Sequence, residues 1–246
     1  MIINKITAKI LLKLKIEARF LQKRFDRKIV RSEAINKNYI RQFLPSNPVI
    51  IDAGAHVGGD SIEMCRLYRG ATVHAFEPVP GIYQLLKHNT RKFQRIHCYT
   101  IALSNQNGQQ QMHVSSGASD GSSSLLAPKE HLKDHPDVFF NQTIKVTTQT
   151  LDTWAASRQL DHVDLLWLDM QGFELEVLKA SRIILPTVKA IHMEVSTRAT
   201  YEGVPLYDEV KQWMQSQGFK VAVEAIPQGW DMGNVLFVRT ATVSTV

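Results

Sequence analysis

The sequence predicts an α/β protein, with a mostly parallel sheet covered by helices on both faces. The sheet closes in an antiparallel hairpin and is preceded by a basic amphipathic helix. Three observations predict this. Apolar runs at 49–53, 72–76, 96–102, 163–169 and 188–196 mostly alternate with segments of helical period, as strands joined by crossover helices do. The last two apolar runs, 219–225 and 234–239, are separated only by a short connection within IPQGWDMG, so they pair antiparallel. Charge is lopsided: residues 1–44 hold twelve Lys or Arg against three acids, a net of +9, whereas the rest hold 17 against 20, a net of −3.

In the basic segment, 1–44, Ile3, Ile6, Ile10, Leu14, Ala18, Leu21, Phe25 and Ile29 fall on one helical face. Arg19, Lys23, Arg27 and Arg31 form a separate row at four-residue spacing. Such a helix packs on its own domain, packs on a second subunit in a homodimer, or lies peripherally on an anionic membrane surface. Few aromatics interleave with the cations, so nucleic acid is not an expected partner. Lysines interrupt the apolar residues every few positions, so neither a spanning helix nor a secretory leader is expected. Cys65 and Cys98 read as reduced core thiols and point to a cytoplasmic setting.

Pro45 and Pro48 open the main domain, expected over 45–240, with 241–246 a polar tail. A buried strand is predicted at 49–53, then a helix over 60–68, a strand at 72–76, a helix from Pro80 to about Phe93, and a third strand at 96–102. Residues 104–143 break the rhythm. They are rich in Ser, Gly, Gln and Asn and read as an insertion, with a short strand before it and another at 143–149. The insertion is a candidate lid carrying His131 and His135 as candidate bases. Regular alternation resumes with a strand at 163–169, a helix over 173–185, a strand at 188–196, and a helix over 206–217 that Gly218 stops.

The most informative stretch is VIIDAGAHVGGDSIE, residues 49–63. A strand runs through a glycine loop into a helix, which brings backbone N–H groups close to a ligand. A dinucleotide fingerprint needs G-x-G-x-x-G. Here Gly54-Ala55-His56-Val57-Gly58-Gly59 lacks the middle glycine, and the pattern is D-x-G-x-x-x-G on Asp52, Gly54 and Gly58. A carboxylate at the strand end suits a cationic ligand group. The second strand ends in Phe76-Glu77-Pro78, where an acid can accept bonds from both hydroxyls of a ribose. A nucleoside carrying positive charge is therefore expected, and S-adenosylmethionine is one.

These residues carry a resemblance to a known family. IDAGAHVGG, FEP at 76–78, IALS at 101–104, LDTW at 151–154, LLWLDMQGFELEVLKA at 165–180, HMEVS at 192–196, YEGVPLYDEV and GNVLFVR resemble the FkbM-type methyltransferases over about 49–239. The resemblance implies a Rossmann-like class I methyltransferase fold with strand order 3-2-1-4-5-7-6. It also implies methyl transfer from S-adenosylmethionine, usually to an oxygen of a sugar, glycan or secondary metabolite. The implied cofactor contacts are Asp52, Gly54, Ala55, His56, Gly58, Glu77, Pro78, Ala102 and Leu103. The family's usual D-x-E-G-x-E appears here as Asp169-Met170-Gln171-Gly172-Phe173-Glu174, with an amide in place of the first glutamate. Gln171 can orient a ligand but cannot act as a base.

Methyl transfer aligns an acceptor with the methyl group and can require removal of the acceptor's proton. Asp169 and Glu194, near the ends of adjacent strands, are the candidates. One could act as base, or both could hold a divalent cation, although no histidine-rich ligand set supports a metal. The structural alternatives are a helix cap for Asp169, an ion pair with Arg198 for Glu194, and a helix-dipole role for Glu174. His192 reads as a core histidine, and the tryptophans as packing, with Trp230 a candidate for the acceptor pocket. A non-catalytic binding module on the same fold and an N-methyltransferase are the rival readings.

Overall fold

The computed structural model describes residues 35–240; the amphipathic helix expected at the amino terminus and the tail fall in 1–34 and 241–246, outside the described residues. The strands are β1 (Val49–Ala53), β2 (Thr72–Phe76), β3 (Ile96–Tyr99), β4 (Ala102–Leu103), β5 (Gly108–Gly117), β6 (Val138–Gln149), β7 (Leu165–Leu168), β8 (Ala190–Ser196), β9 (Phe219–Ala225) and β10 (Met232–Arg239). The helices are α1 (Lys37–Ile40), α2 (Gly59–Leu67), α3 (Pro80–Thr90), α4 (His131–Asp134), α5 (Leu151–Ser157), α6 (Glu174–Ala180) and α7 (Tyr207–Ser216).

The main sheet runs β3-β2-β1-β7-β8-β10-β9. All neighbours are parallel except β10, which is antiparallel to both β8 and β9. This is the Rossmann-like methyltransferase order that the resemblance implies. Both faces are covered, so the central strands are continuous apolar runs rather than alternating ones. Ile50, Ile51, Leu165, Leu166 and Ile191 are fully buried. Register sets the site: Ala53 stands opposite both Phe76 and Leu168, and Leu168 stands opposite Met193. The residues just beyond, Gly54, Glu77, Asp169 and Glu194, therefore collect along one edge of the sheet, at the carboxyl ends of its parallel strands.

Three local expectations need correction. The third strand stops at Tyr99. Ala102 and Leu103 belong instead to a second sheet of three strands, ordered β4-β6-β5. The insertion is mostly a long antiparallel ribbon, with β5 and β6 paired from Gly108–Thr148 to Gly117–Val138. Only Met112, Val138 and Val146 of its hydrophobic residues are buried, so its apolar signal is too sparse to read from sequence. Helix α6 ends at Ala180, short of the expected Leu185, where the Ser181 hydroxyl bonds back to the Val177 carbonyl at 2.7 Å. Helix α5 was not foreseen. Thr150 caps it by accepting from Thr153 N at 3.1 Å, and it buries Trp154 edge-on against Phe76 and Tyr99.

Residues 35–44 pack on the domain. Ile35 and Ile40 are buried, and Lys37 Nζ reaches Asp60 at 2.9 Å and Glu63 at 3.1 Å while lying 4.4 Å from the Trp167 ring centre. Trp167 stacks in turn on His192, their centroids 3.5 Å apart. Cys65 and Cys98 are free thiols. Among the described residues, no helix is long and apolar enough to cross a membrane.

Candidate functional site

A pocket opens at the carboxyl ends of β1, β2 and β7. That is where open α/β sheets bind ligands. Its floor is Ala53, Gly54, Phe76 and Glu77. Gly54 adopts φ +82°, and its N–H and that of Ala55 both donate to the Phe76 carbonyl, at 3.1 and 2.9 Å. The loop is thereby stitched across β2. Both oxygens of the Glu77 carboxylate accept from backbone, Oε2 from His56 N at 3.1 Å and Oε1 from Val79 N at 2.8 Å. Each keeps a lone pair for ligand hydroxyls. Burial pushes this carboxyl up to about 7, against the pull of those two bonds.

The predicted cofactor residues divide. Gly54, His56, Glu77, Pro78, Ala102 and Leu103 line the pocket. Asp52 does not. Side chains alternate along a strand, and Asp52 faces away from the pocket, where the Ser61 hydroxyl donates to it and ties α2 to β1. Burial first, then the Asp60 charge, push its carboxyl up to about 7. Ala55 is buried beneath the loop, and Gly58, at φ +86°, caps α2. A side chain on Gly58 would press on Leu86 and Thr90.

Sequence reasoning missed the opposite wall. Asp120, Gly121, Ser123 and Leu125 come from the insertion, and Ile101 and Met112 complete an apolar side with Phe173. Asp120 Oδ1 lies 3.0 Å from His56 Nε2. The only signal in the sequence was an acid set in a Ser/Gly-rich stretch. Three carboxylates, Glu77, Asp120 and Asp169, line the pocket, and among the described residues no Lys or Arg does. Such a wall disfavours a pyrophosphate and favours a cation.

Beside the pocket the other candidates meet. Gln171 Nε2 donates to Asp169 Oδ1 and to Glu194 Oε2, each at 2.8 Å. Its Oε1 faces the Tyr201 hydroxyl at 3.0 Å, which also lies 2.9 Å from the Ser122 carbonyl. Donating to two carboxylates and accepting from a phenol fixes the orientation of the amide. The backbone makes this bridge from a strained turn, with Gln171 at φ +57° and Gly172 at φ +99°. Glu174 accepts from Met170 N at 2.7 Å, and burial pushes it up to about 7. Burial, then the charges of Asp169 and Glu174, hold Glu194 well above the usual carboxylate range. Asp169 is solvent-exposed, also lines the pocket, and does not cap α6, whose cap position is Phe173.

Arg198 pairs with Asp134 and Asp231 rather than with Glu194. His131 is buried against Tyr201 and Phe140, and burial lowers its pKa. His192 is a core residue, lowered to about 3 by burial. Trp230 is exposed, its carbonyl accepting from the Thr197 hydroxyl at 3.0 Å. Among the described residues no group of three or more His, Cys, Asp or Glu has metal-binding geometry.

The model of the methyltransferase FkbM domain matches residues 52–221, well over half the chain. The chain belongs to this family. It is a S-adenosylmethionine-dependent methyltransferase. It is 31% identical over 182 residues to the 2-O-methyltransferase NoeI of Sinorhizobium fredii, covering 72% of this chain and 75% of that protein. It is 27% identical over 221 residues to methyltransferase sdnD of Sordaria araneosa, covering 80% and 83%. Among solved structures, a Methanococcus jannaschii fibrillarin superposes with a TM-score of 0.49 at 13% identity, over 79% of this chain and 67% of that one. The FkbM match spans the pocket and the Asp169–Gln171–Glu194 bridge together.

Proposed function

We propose that this FkbM-family enzyme methylates a hydroxyl of a saccharide or secondary metabolite, with Asp169 receiving the hydroxyl proton. The observation that carries the reading is the Gln171 amide, which bonds Asp169 and Glu194 at the rim of an acid-lined pocket. The printed name of the NoeI relative, a 2-O-methyltransferase, supports an oxygen acceptor.

The residues present fit S-adenosylmethionine. Glu77 suits the ribose hydroxyls; Ile101, Leu103, Met112, Leu125 and Phe173 suit the adenine; the three carboxylates suit a sulfonium. When bound, the cofactor supplies an electrophilic methyl group. Asp169 would receive the proton that the acceptor hydroxyl gives up as its oxygen takes the methyl group. The two acids divide the work. Glu194, half-buried and held well above the usual carboxylate range, serves as a hydrogen-bonding neighbour. Asp169, exposed at the pocket rim, is placed to take a proton. Gln171 fixes the direction of the Asp169 carboxylate, which a proton transfer needs.

The test is transfer of labelled methyl from S-adenosylmethionine to a panel of oligosaccharides, polyols and amines, with wild type and Asp169→Asn side by side. Hydroxyl acceptors should be labelled, and Asp169→Asn should lower kcat by about 10²- to 10⁴-fold. Labelling confined to amines, or an unchanged kcat in the variant, would refute the assignment.

A further inference from the structure

A single proton is shared between two parts of the site. Tyr201 is fully buried, and its hydroxyl lies 3.0 Å from Gln171 Oε1 and 2.9 Å from the Ser122 carbonyl. A phenol carries one hydrogen, so it serves one of these acceptors at full strength and not both. Burial first, then the charges of Glu194, Asp169 and Glu174, push the phenol well above its usual range, so it keeps that hydrogen. Backbone bonds fix its place. Glu202 N donates to the Ala127 carbonyl at 2.8 Å, and Lys129 N and His131 N donate to the Thr200 carbonyl at 2.9 and 3.1 Å. The His131 and Phe140 rings pack against its aromatic body.

The choice of acceptor decides which way the Gln171 amide points. When the phenol donates to Gln171 Oε1, the Nε2 hydrogens go to Asp169 and Glu194, each at 2.8 Å. That arrangement suits carboxylates, which only accept. When the phenol donates to Ser122 instead, the amide turns: Nε2 donates to the phenol oxygen, and Oε1 faces the two acids. Oε1 only accepts, so this second arrangement needs an acid that carries a proton. The first arrangement favours the charged acid and the second the protonated one. The ionisable groups around the amide are Asp169 beyond β7, Glu174 on α6, Glu194 on β8 and Tyr201 itself. His131 on α4 lies against the Tyr201 ring, and Asp52 on β1 feels the Asp169 charge.

We propose that Tyr201 is a positioning residue for methyl transfer: by giving its one proton to Gln171 Oε1 it holds the amide with Nε2 on Asp169, the orientation in which Asp169 can receive the acceptor's proton. The proposal rests on the reading of Asp169 as the proton acceptor. Tyr201 acts through Gln171 and not on the acceptor itself. Once Asp169 has taken the proton, the second arrangement opens: the protonated carboxyl donates to Oε1 while the phenol turns to Ser122. Only hydrogen-bond donors change, and no covalent bond of the phenol or the amide breaks. Tyr201→Phe keeps the ring and removes that proton. Its amide is then drawn round toward the Ser122 carbonyl, which has lost the phenol's bond, and Oε1 turns to the acids. The protonated acid is favoured, so the base fills with a solvent proton at higher pH than in wild type.

The pH dependence of kcat and KM for transfer of labelled methyl from S-adenosylmethionine to a hydroxyl acceptor tests this in wild type, Tyr201→Phe and Asp169→Asn, with a thermal melt confirming that each is folded. Tyr201→Phe should move the acid limb of kcat up by about one pH unit, so that kcat on that limb falls about tenfold. KM for S-adenosylmethionine should change less than about threefold, because Tyr201 acts through Gln171. An unmoved limb, or a loss carried by KM with the limb in place, would overturn the role. If Asp169→Asn still loses most of its kcat in that case, the reading of Asp169 as base stands and this proposal alone falls. Undiminished kcat in Asp169→Asn overturns both. Nitrogen-15 NMR of wild type gives a reading that does not depend on how the variant folds. The Gln171 Nε2 protons should exchange with solvent at least about tenfold more slowly than those of the exposed Gln109. Equal exchange would show an amide that nothing holds, and would overturn the proposal.

Discussion

The carbonyl oxygen of Asp169 occupies the place a side chain would take on Gly54: an ideal Cβ there would stand 1.8 Å from it. The glycine loop and Asp169 are therefore in backbone contact, with Asp169 N also donating to the Ala53 carbonyl at 2.9 Å. Their closeness is built into strand register, not left to side-chain reach.

Gly54→Ala meets two penalties, the clash with Asp169 and a φ of +82° that L-residues rarely adopt. It should cost about 2–4 kcal/mol of stability and abolish detectable methyl transfer. Denaturant unfolding and the labelled-methyl assay measure the two effects. A fully active alanine variant would mean that the loop moves freely away from Asp169.

Gln171 bonds three partners, so truncating it removes three side-chain hydrogen bonds at once. Gln171→Leu should lose about 2–4 kcal/mol and most of kcat. Gln171→Glu restores the family's acid but can bridge Asp169 and Glu194 only when protonated. Its stability deficit should be small at pH 5 and grow by pH 8. A deficit independent of pH would show that the introduced acid is not held between the other two.

Glu174 is buried and raised to about 7. A carboxyl raised in the folded state contributes stability below its unfolded value near 4.5, and that contribution is lost as pH rises through the folded value. Glu174→Gln should therefore reduce the fall in stability between pH 4.5 and 8 by up to roughly 3 kcal/mol relative to wild type. His74 and His192, lowered to about 4 and about 3, act in the opposite sense below pH 6.5, so the wild-type difference is compared variant by variant. Parallel pH profiles for the two proteins would contradict the buried-acid account.

The sheet was legible because covered strands are written as unbroken apolar runs, and the site edge was legible because Gly54, Glu77 and Asp169 sit directly beyond such runs. The ribbon β5–β6 was not, since Gln109, Gln111 and Thr143 face water and carry no apolar alternation strong enough to mark strands. The contacts of Asp52 were not legible for a different reason. Motif spacing locates a residue along a strand but not the face it takes, and one position of pleat turned its carboxylate toward Ser61 instead of the pocket. Asp120 was invisible because its partner, His56, is 64 residues away in sequence. The Gln171 departure from the family pattern was visible at once; its meaning appeared only when Tyr201 and Glu194 were seen on either side of it.

The central claim is that the pocket beyond β1 and β2 holds S-adenosylmethionine with Glu77 on its ribose. Calorimetric titration of the cofactor into folded wild type and Glu77→Ala tests it most directly. The account predicts micromolar binding to wild type and at least tenfold weaker binding to the variant. No binding to folded wild type, or equal binding to both proteins, would contradict it.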